Sequence, residues 1–128
     1  MLDHLRQKAA QTLASASTVI LSSYGPADIQ SNRVASVSRD LTLYVFIPYS
    51  SNHLLNLEHR PSVVVLGEDW ELHGTAQIQC AAEVPAGLPL LALPQATWGR
   101  LVAVHPYRLH LHRGTPETID LMDASENQ

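Results

Sequence analysis

Residues 41–63 read LTLYVFIPYSSNHLLNLEHRPSV, and this stretch carries the clearest signal for the fold. The segment Leu41–Ile47 predicts a strand, because apolar and β-branched residues alternate with Thr42, Tyr44 and Phe46. Both faces of this strand are largely apolar, so we expect it to be central in a sheet and covered on each side. Pro48 ends the strand.

A short helix is predicted after that strand. Ser50, Ser51 and Asn52 are all residue types that cap a helix N-terminus. The helix is expected to stop by Arg60, because Pro61 disfavours a helical conformation in the residue before it. The strand therefore leads into a serine-rich turn and then a helix.

The flanking sequence adds a helix and five more strands. Leu2, Leu5, Ala9 and Leu13 recur at steps of three and four, which predicts an N-terminal helix over about residues 1–15. The further strands are predicted from β-branched or alternating apolar runs at Thr18–Leu21, Ile29–Ser38, Val63–Leu66, Trp70–Cys80 and Leu101–His112. Gly74 interrupts the apolar side of the fifth strand and predicts a bulge. The fold class is thus mainly β, a closed or half-closed six-stranded antiparallel barrel with an N-terminal helix and one short internal helix.

Composition limits the domain count and the class of partner. The 128 residues suit a single domain, with the barrel over about 15–112 and a polar tail over 114–128. The net charge of −4, without a cluster of lysine and arginine, argues against nucleic acid and anionic membranes as partners. Cys80 is the single cysteine, so no intramolecular disulfide forms. The N-terminal segment lacks the apolar run of about 7 to 15 residues that a secretory signal needs. We expect a cytoplasmic protein.

The segment from Ile47 to His53 is the candidate site, since a strand end meets a helix start there. Serine hydroxyls and unpaired backbone N–H groups at such a point can bind phosphate. Serines before a helix also serve simply as caps, and the local pattern leaves both readings open. No nucleophilic triad, carboxylate pair or glycine-rich loop is apparent, so no catalytic residue is assigned and a cofactor would carry any chemistry.

The order of these motifs resembles the pyridoxamine 5'-phosphate oxidase-like family of FMN-binding split barrels. The matching segments are Leu43-Tyr44-Val45-Phe46-Ile47, Ser51, Asn56-Leu57, Arg60-Pro61-Ser62-Val63, Trp70–Ala76 and Val104–Leu109. His53 and Ser31 are similar more specifically to the haem-utilisation branch of that family.

The resemblance implies a homodimer with FMN at the subunit interface. By position it puts Arg33, Val34, Ala35 and Ser36 on the strand lining the flavin, Phe46, Ile47 and Pro48 on its neighbour, and Ser50, Ser51, Asn52 and His53 at the phosphate turn. Trp98 is expected to pack over the flavin across the dimer, or else to fill core or interface. The family typically has Ser-Arg-Lys where this chain has Ser51-Asn52-His53, so Arg33 and a protonated His53 are expected to supply the positive charge.

Three functions follow from these patterns. The first is a dimeric FMN-binding oxidoreductase acting on an unidentified small molecule. The second is a haem-binding or haem-utilisation protein on the same scaffold, which the seven histidines favour. The third is a cofactor-free dimeric binding module, which the missing Arg-Lys pair favours. His110 and His112 share a strand face and are able to chelate a metal, but a solvated polar face explains them equally well, and no metal site is predicted.

Overall fold

The structure, a computed structural model, describes residues 2–79, 99–112 and 116–121. Its elements, in chain order, are α1 (Leu2–Ala14), β1 (Thr18–Ser23), β2 (Gln30–Arg39), β3 (Thr42–Pro48), α2 (His53–His59), β4 (Ser62–Leu66), β5 (Trp70–Ile78), β6 (Gly99–Leu111) and β7 (Glu117–Asp120). The predicted helices and six strands are confirmed, with boundaries that differ by at most a few residues.

Six of the strands close into an antiparallel barrel. Neighbouring strands pair in the order β3-β2-β1-β4-β5-β6-β7, and β3 also pairs with β6. The closing ladder runs from Leu43 opposite Val104 to Pro48 opposite Gly99. At Gly99 a Cβ would lie 2.2 Å from the carbonyl oxygen of Ile47, so only glycine fits this close approach. The fold class predicted from the sequence, a six-stranded antiparallel barrel, is confirmed.

One apolar core fills the barrel, and α1 covers part of it. Leu21, Leu43, Val65, Leu72 and Leu109 are completely buried in this core. The covering face of α1 adds two fully buried residues, Ala9 and Leu13. The predicted amphipathic character of the N-terminal helix is therefore confirmed, because its apolar stripe faces the core.

The predicted bulge at Gly74 is present. His73 lies opposite Arg108, whereas Gly74 lies opposite Pro106, so Tyr107 is an extra residue on β6. A Cβ on Gly74 would lie 2.8 Å from the carbonyl oxygen of His105. The missing side chain thus lets the two backbones approach where the ladder is irregular.

A seventh strand, β7, lies in the segment that the sequence presents as a polar tail. It pairs with β6 from Leu111 opposite Glu117 to Arg108 opposite Asp120. Ile119 is its one buried residue, and the Lys8 ammonium forms an ion pair with Glu117 at 2.5 Å. Four residues with a single buried apolar side chain have almost no alternation, which is why the sequence does not predict this strand. Within the described residues, no helix has both the length and the apolar character needed to cross a membrane.

Candidate functional site

Strands β2 and β3 pair over only part of their length. Their ladder runs from Arg39 opposite Thr42 to Ser36 opposite Val45 and stops there. Beyond that point β2 pairs with β1, up to Gln30 opposite Ser23, and the end of β3 pairs with β6. The residues predicted to line a flavin therefore lie on two strands that separate at the start of the candidate site.

The predicted strand residues divide between the two faces of the barrel. Val34 and Ile47 belong to the barrel core. Ala35 and Phe46 belong to a second apolar cluster on the outer face, together with Val37, Tyr44, Leu101 and Ala103. Arg33 is exposed, and alternation along β2 puts it on this outer face with Ala35. Pro48 is exposed at the end of β3.

Ser36 lies on the inner side with Val34, and its hydroxyl is buried without a hydrogen-bond partner among the described residues. Its backbone N–H donates to the carbonyl oxygen of Ser17 at 2.9 Å. Four of the predicted residues face outward: Arg33 and Pro48 are exposed, Ala35 is half-buried, and Phe46 is 6% exposed. Val34, Ser36 and Ile47 support that face from behind.

The serine-rich turn between β3 and α2 is closed by its own backbone. The N–H of Ser51 donates to the carbonyl oxygen of Pro48 at 2.9 Å, and the Ser51 hydroxyl accepts from the N–H of His53 at 3.2 Å. Ser50 is exposed. Asn52 stands at the N-cap position of α2 and makes no side-chain capping bond. Ser51 therefore acts as a local cap, while the side chains of Ser50 and Asn52 face solvent.

His53 is not at the surface of this turn. It is 1% exposed, and its Nδ1 lies 2.6 Å from the hydroxyl oxygen of Ser23, which is also buried. Its Nε2 is buried without a partner among the described residues. Burial lowers the pKa of His53 below its ordinary value, because the charged form would lose its hydration. The expectation that a protonated His53 supplies positive charge to a phosphate is therefore wrong for this structure.

Asn56 completes the buried polar cluster around Ser23. Its Oδ1 accepts from the N–H of Ala27 at 2.9 Å. Its Nδ2 donates to the carbonyl oxygen of Asp28 at 2.9 Å and to the Ser23 hydroxyl at 3.2 Å. These bonds hold the β1–β2 loop against α2. The cluster contains a serine, a histidine and an asparagine, which are residue types found in nucleophilic sites. All three are buried here, and the Asn56 amide is hydrogen-bonded to the Ser23 hydroxyl. The cluster therefore has a structural role.

Arg100 supplies a positive charge that no local sequence pattern indicates. It is exposed on β6 opposite Ile47, and its guanidinium carbon lies 5.9 Å from the centre of the Tyr49 ring. That distance suits a cation–π contact. Tyr49 belongs to the turn that carries Ser50 and Ser51, so Arg100 flanks the predicted phosphate turn. Only the β3–β6 ladder brings it there, since the two segments are about fifty residues apart in the sequence. Trp98 lies outside the described residues.

The barrel is shared by solved proteins that include a haem-binding protein and an FAD-binding protein. A haem-binding protein from Mycobacterium smegmatis aligns over 95% of this chain and 60% of its own, with a TM-score of 0.75 and 15% identity. A protein of the pyridoxinephosphate oxidase family from Clostridium acetobutylicum, related to general stress protein 26, aligns over 96% and 98%, with a TM-score of 0.67 and 10% identity. An FAD-binding protein from Mesorhizobium loti aligns over 80% and 88%, with a TM-score of 0.59 and 10% identity.

At these identities the likeness establishes the fold, which is that of the pyridoxamine 5'-phosphate oxidase-like split barrels. The chain spans about three-fifths of the haem-binding protein. No protein-family model matches the sequence, and no curated protein matches it either.

Proposed function

We propose that this protein is a homodimeric FMN-binding oxidoreductase whose flavin lies along the outer face of β2 and β3, with its phosphate at the turn of residues 48–52. The observation that carries this proposal is the position of Arg100 beside Tyr49, next to the exposed Ser50. The split-barrel fold, which an FAD-binding protein shares, supports it.

The donor set at the turn is suited to a phosphate group. A phosphate monoester carries about −1.5 to −2 charges at pH 7 and has strong acceptor oxygens. The side chains available are the guanidinium groups of Arg33 and Arg100, the hydroxyl of Ser50 and the amide of Asn52, all exposed. Charge-assisted hydrogen bonds from guanidinium to phosphate are among the stronger polar contacts in proteins. In this proposal Arg100, beside Tyr49, and Arg33, on the outer face of β2, stand in for the Arg-Lys pair that the family has within the turn.

The outer apolar cluster is suited to a flavin ring. Ala35, Phe46 and Leu101 belong to it, on three strands that surround the point where β2 and β3 separate. Ligand pockets are lined mainly by apolar and aromatic side chains. In this proposal the half-buried Ala35 and Leu101 contact the ring, and Phe46, which is 6% exposed, supports them. When bound, FMN supplies hydride or single-electron transfer, and this chain's residues bind and orient it. The same outer surface is where we place the second subunit.

Haem is the second candidate ligand. The TM-score of 0.75 with a haem-binding protein favours it, and this chain has exposed histidines, among them His59 and His105, of the type that ligates haem iron. His53 is a poor ligand because it is buried and bonded to Ser23. A haem function would therefore use a surface histidine.

The test is a spectroscopic titration of the purified, untagged protein. We expect FMN to bind with one flavin per chain, to remain with a dimer in size-exclusion chromatography with light scattering, and to bind more tightly than riboflavin, which lacks the phosphate. Equal affinity for the two flavins would contradict the phosphate site. Absence of flavin binding together with a sharp Soret band on addition of haemin would favour haem. A blank result with both ligands would leave the cofactor-free module.

A further inference from the structure

We propose that Glu71, His73 and His110 form a binding site for a divalent transition-metal ion, of which Zn²⁺ is the probe. The three side chains each offer one ligand atom, and these atoms all lie within 4.8 Å of one another. The site is on the outer face of β5 and β6. It is separate from the proposed flavin site, which uses β2, β3, the turn before α2 and Arg100 and Leu101 near the start of β6, about ten residues before His110.

The β5–β6 ladder brings these residues together. Glu71 lies directly opposite His110, and His73 follows two residues after Glu71 on the same face of β5. The rings of His73 and His110 meet edge to face, with their centres 5.4 Å apart. All three side chains are half-buried, so they are ordered by the sheet and yet reachable from solvent. His73 also lines a groove of about 270 Å³ with Val64, Tyr24 and Tyr107.

The ligand atoms need only small movements to bind a metal. Two donors on one tetrahedral zinc ion are about 3.3 Å apart, given bonds of about 2.0 to 2.1 Å. The Nε2 of His73 now lies 2.5 Å from Oε2 of Glu71, so these two atoms would separate slightly as the ion enters between them. His110 would move toward them. Side-chain rotation is sufficient for both changes, because the ladder already sets the backbone spacing.

In the proposed site, Thr118 holds His110 in the tautomer that leaves Nε2 free for the metal. The Nδ1 of His110 lies 2.8 Å from the hydroxyl oxygen of Thr118, its neighbour on β7. A proton on Nδ1 donated to that hydroxyl leaves the Nε2 lone pair free for the ion. Metal-binding histidines typically use their second ring nitrogen in this way. The bond gives a specific role to β7, the strand that the sequence does not predict.

The donor types decide the class of ion. Two imidazoles and one carboxylate favour zinc and other transition metals over Mg²⁺ and Ca²⁺, which prefer oxygen. Three protein ligands leave at least one coordination position for water or a substrate group. The charged neighbours are Arg108, opposite His73, and Asp120, opposite Arg108. The carboxylates of Glu71 and Asp120 outnumber the one guanidinium of Arg108, so this group of charged side chains is net negative before the ion binds.

This cluster differs from the pair that the sequence suggested. His110 and His112 share a face of the strand, but it is the neighbouring strand that gives His110 its partners. His112 is exposed near the end of β6, beyond the last residue that pairs with β5.

The test is calorimetric titration of Zn²⁺ into the untagged, chelator-treated full chain. We expect one ion per chain, no competition from excess Mg²⁺, and loss of binding in the double variant His73→Gln/His110→Gln. His105→Gln is the matched control, because His105 is an exposed histidine on the same strand outside the cluster. It should bind within twofold of the parent. Thr118→Val should weaken binding by about 10- to 100-fold, as loss of a ligand's hydrogen-bond partner does.

Circular dichroism would verify that each variant keeps the fold. Less than one ion per chain in the parent, displacement by Mg²⁺, full binding by the double variant, or an equal loss in His105→Gln would overturn the proposal.

Discussion

The hydroxyl oxygen of Ser23 and Nδ1 of His53 lie 2.6 Å apart in the interior, one at the end of β1 and the other at the first residue of α2. This contact joins the barrel to its internal helix. It also buries His53, although the nearby residues Asn52 and Ser50 are exposed.

Acid should destabilise the protein through His53. Because burial lowers the pKa of His53 below the unfolded value of about 6.5, the stability gained from burying the neutral ring is full above about pH 6.5. It is lost as the pH falls through the folded-state pKa, with a slope of at most about 1.4 kcal/mol per pH unit. Urea unfolding of the parent at pH 7 and pH 5 would measure this loss.

His53→Asn is the comparison for that experiment, since asparagine retains a polar atom near Ser23 and does not titrate in this range. We expect its stability to fall less between the two pH values than that of the parent. Identical falls would assign the acid sensitivity to other groups.

Asn56→Ala should destabilise the protein by about 3 kcal/mol, since it removes three hydrogen bonds and leaves buried or half-buried partners unsatisfied. Asn52→Ala is the matched control. Asn52 is exposed and makes no side-chain capping bond, so its loss should change the free energy of unfolding by less than about 0.5 kcal/mol. Chemical denaturation of the two variants side by side would reveal the difference, and equal effects would contradict the role given to Asn56.

Ser36→Ala should leave stability unchanged or raise it by up to about 1 kcal/mol. The Ser36 hydroxyl is buried without a partner among the described residues, so its removal ends a desolvation cost without breaking a bond. Thermal unfolding followed by circular dichroism is the measurement. A clear loss of stability would mean that the hydroxyl is hydrogen-bonded in solution.

Gly99→Ala should destabilise the barrel by more than about 2 kcal/mol. The added Cβ would lie 2.2 Å from the carbonyl oxygen of Ile47 and 2.7 Å from the Cα of Pro48, so the last closing pair between β3 and β6 would have to open. Hydrogen exchange at the closing ladder, compared with exchange in β1, would show whether the loss of stability is local to the β3–β6 pairing. Unchanged protection at this ladder would contradict the role given to Gly99.

Arg33→Ala should weaken FMN binding by about 1.5 to 3 kcal/mol, the range for a lost charged hydrogen bond, and Arg100→Ala should act similarly. Arg39→Ala is the charge-matched control. Arg39 is exposed on the same face of β2, six residues and thus about 20 Å away. Flavin fluorescence titration gives the three affinities. An equal loss in Arg39→Ala would indicate that general electrostatics, not the proposed site, binds the flavin.

The sequence predicts the elements of this fold well because their signals are local. Alternation from Trp70 to Ile78 and the proline after the apolar run at Leu41–Ile47 each depend on a few adjacent residues, and both match the structure. The strand β7 is missed because Ile119 is the one apolar anchor in it, and its pairing with β6 gives most of its stability.

The candidate site is harder to predict, because its contacts join segments that are far apart in the sequence. That Ser51 stands before the helix is evident from the sequence, whereas the inward turn of His53 toward Ser23 depends on the position of β1. Arg100 is placed beside Tyr49 only by the closing ladder.

Local patterns in the sequence specify the chain order of strands and helices, the division of each strand into apolar and polar faces, and the turn where a phosphate is expected. Contacts between distant segments depend on the folded barrel: Arg100 meets Tyr49, Ser23 meets His53, and Glu71 and His73 meet His110. This difference arises because periodicity encodes which face of a strand is buried, while cross-strand partners depend on register. In this barrel, register arises from packing of the whole core and from irregularities such as the bulge opposite Gly74.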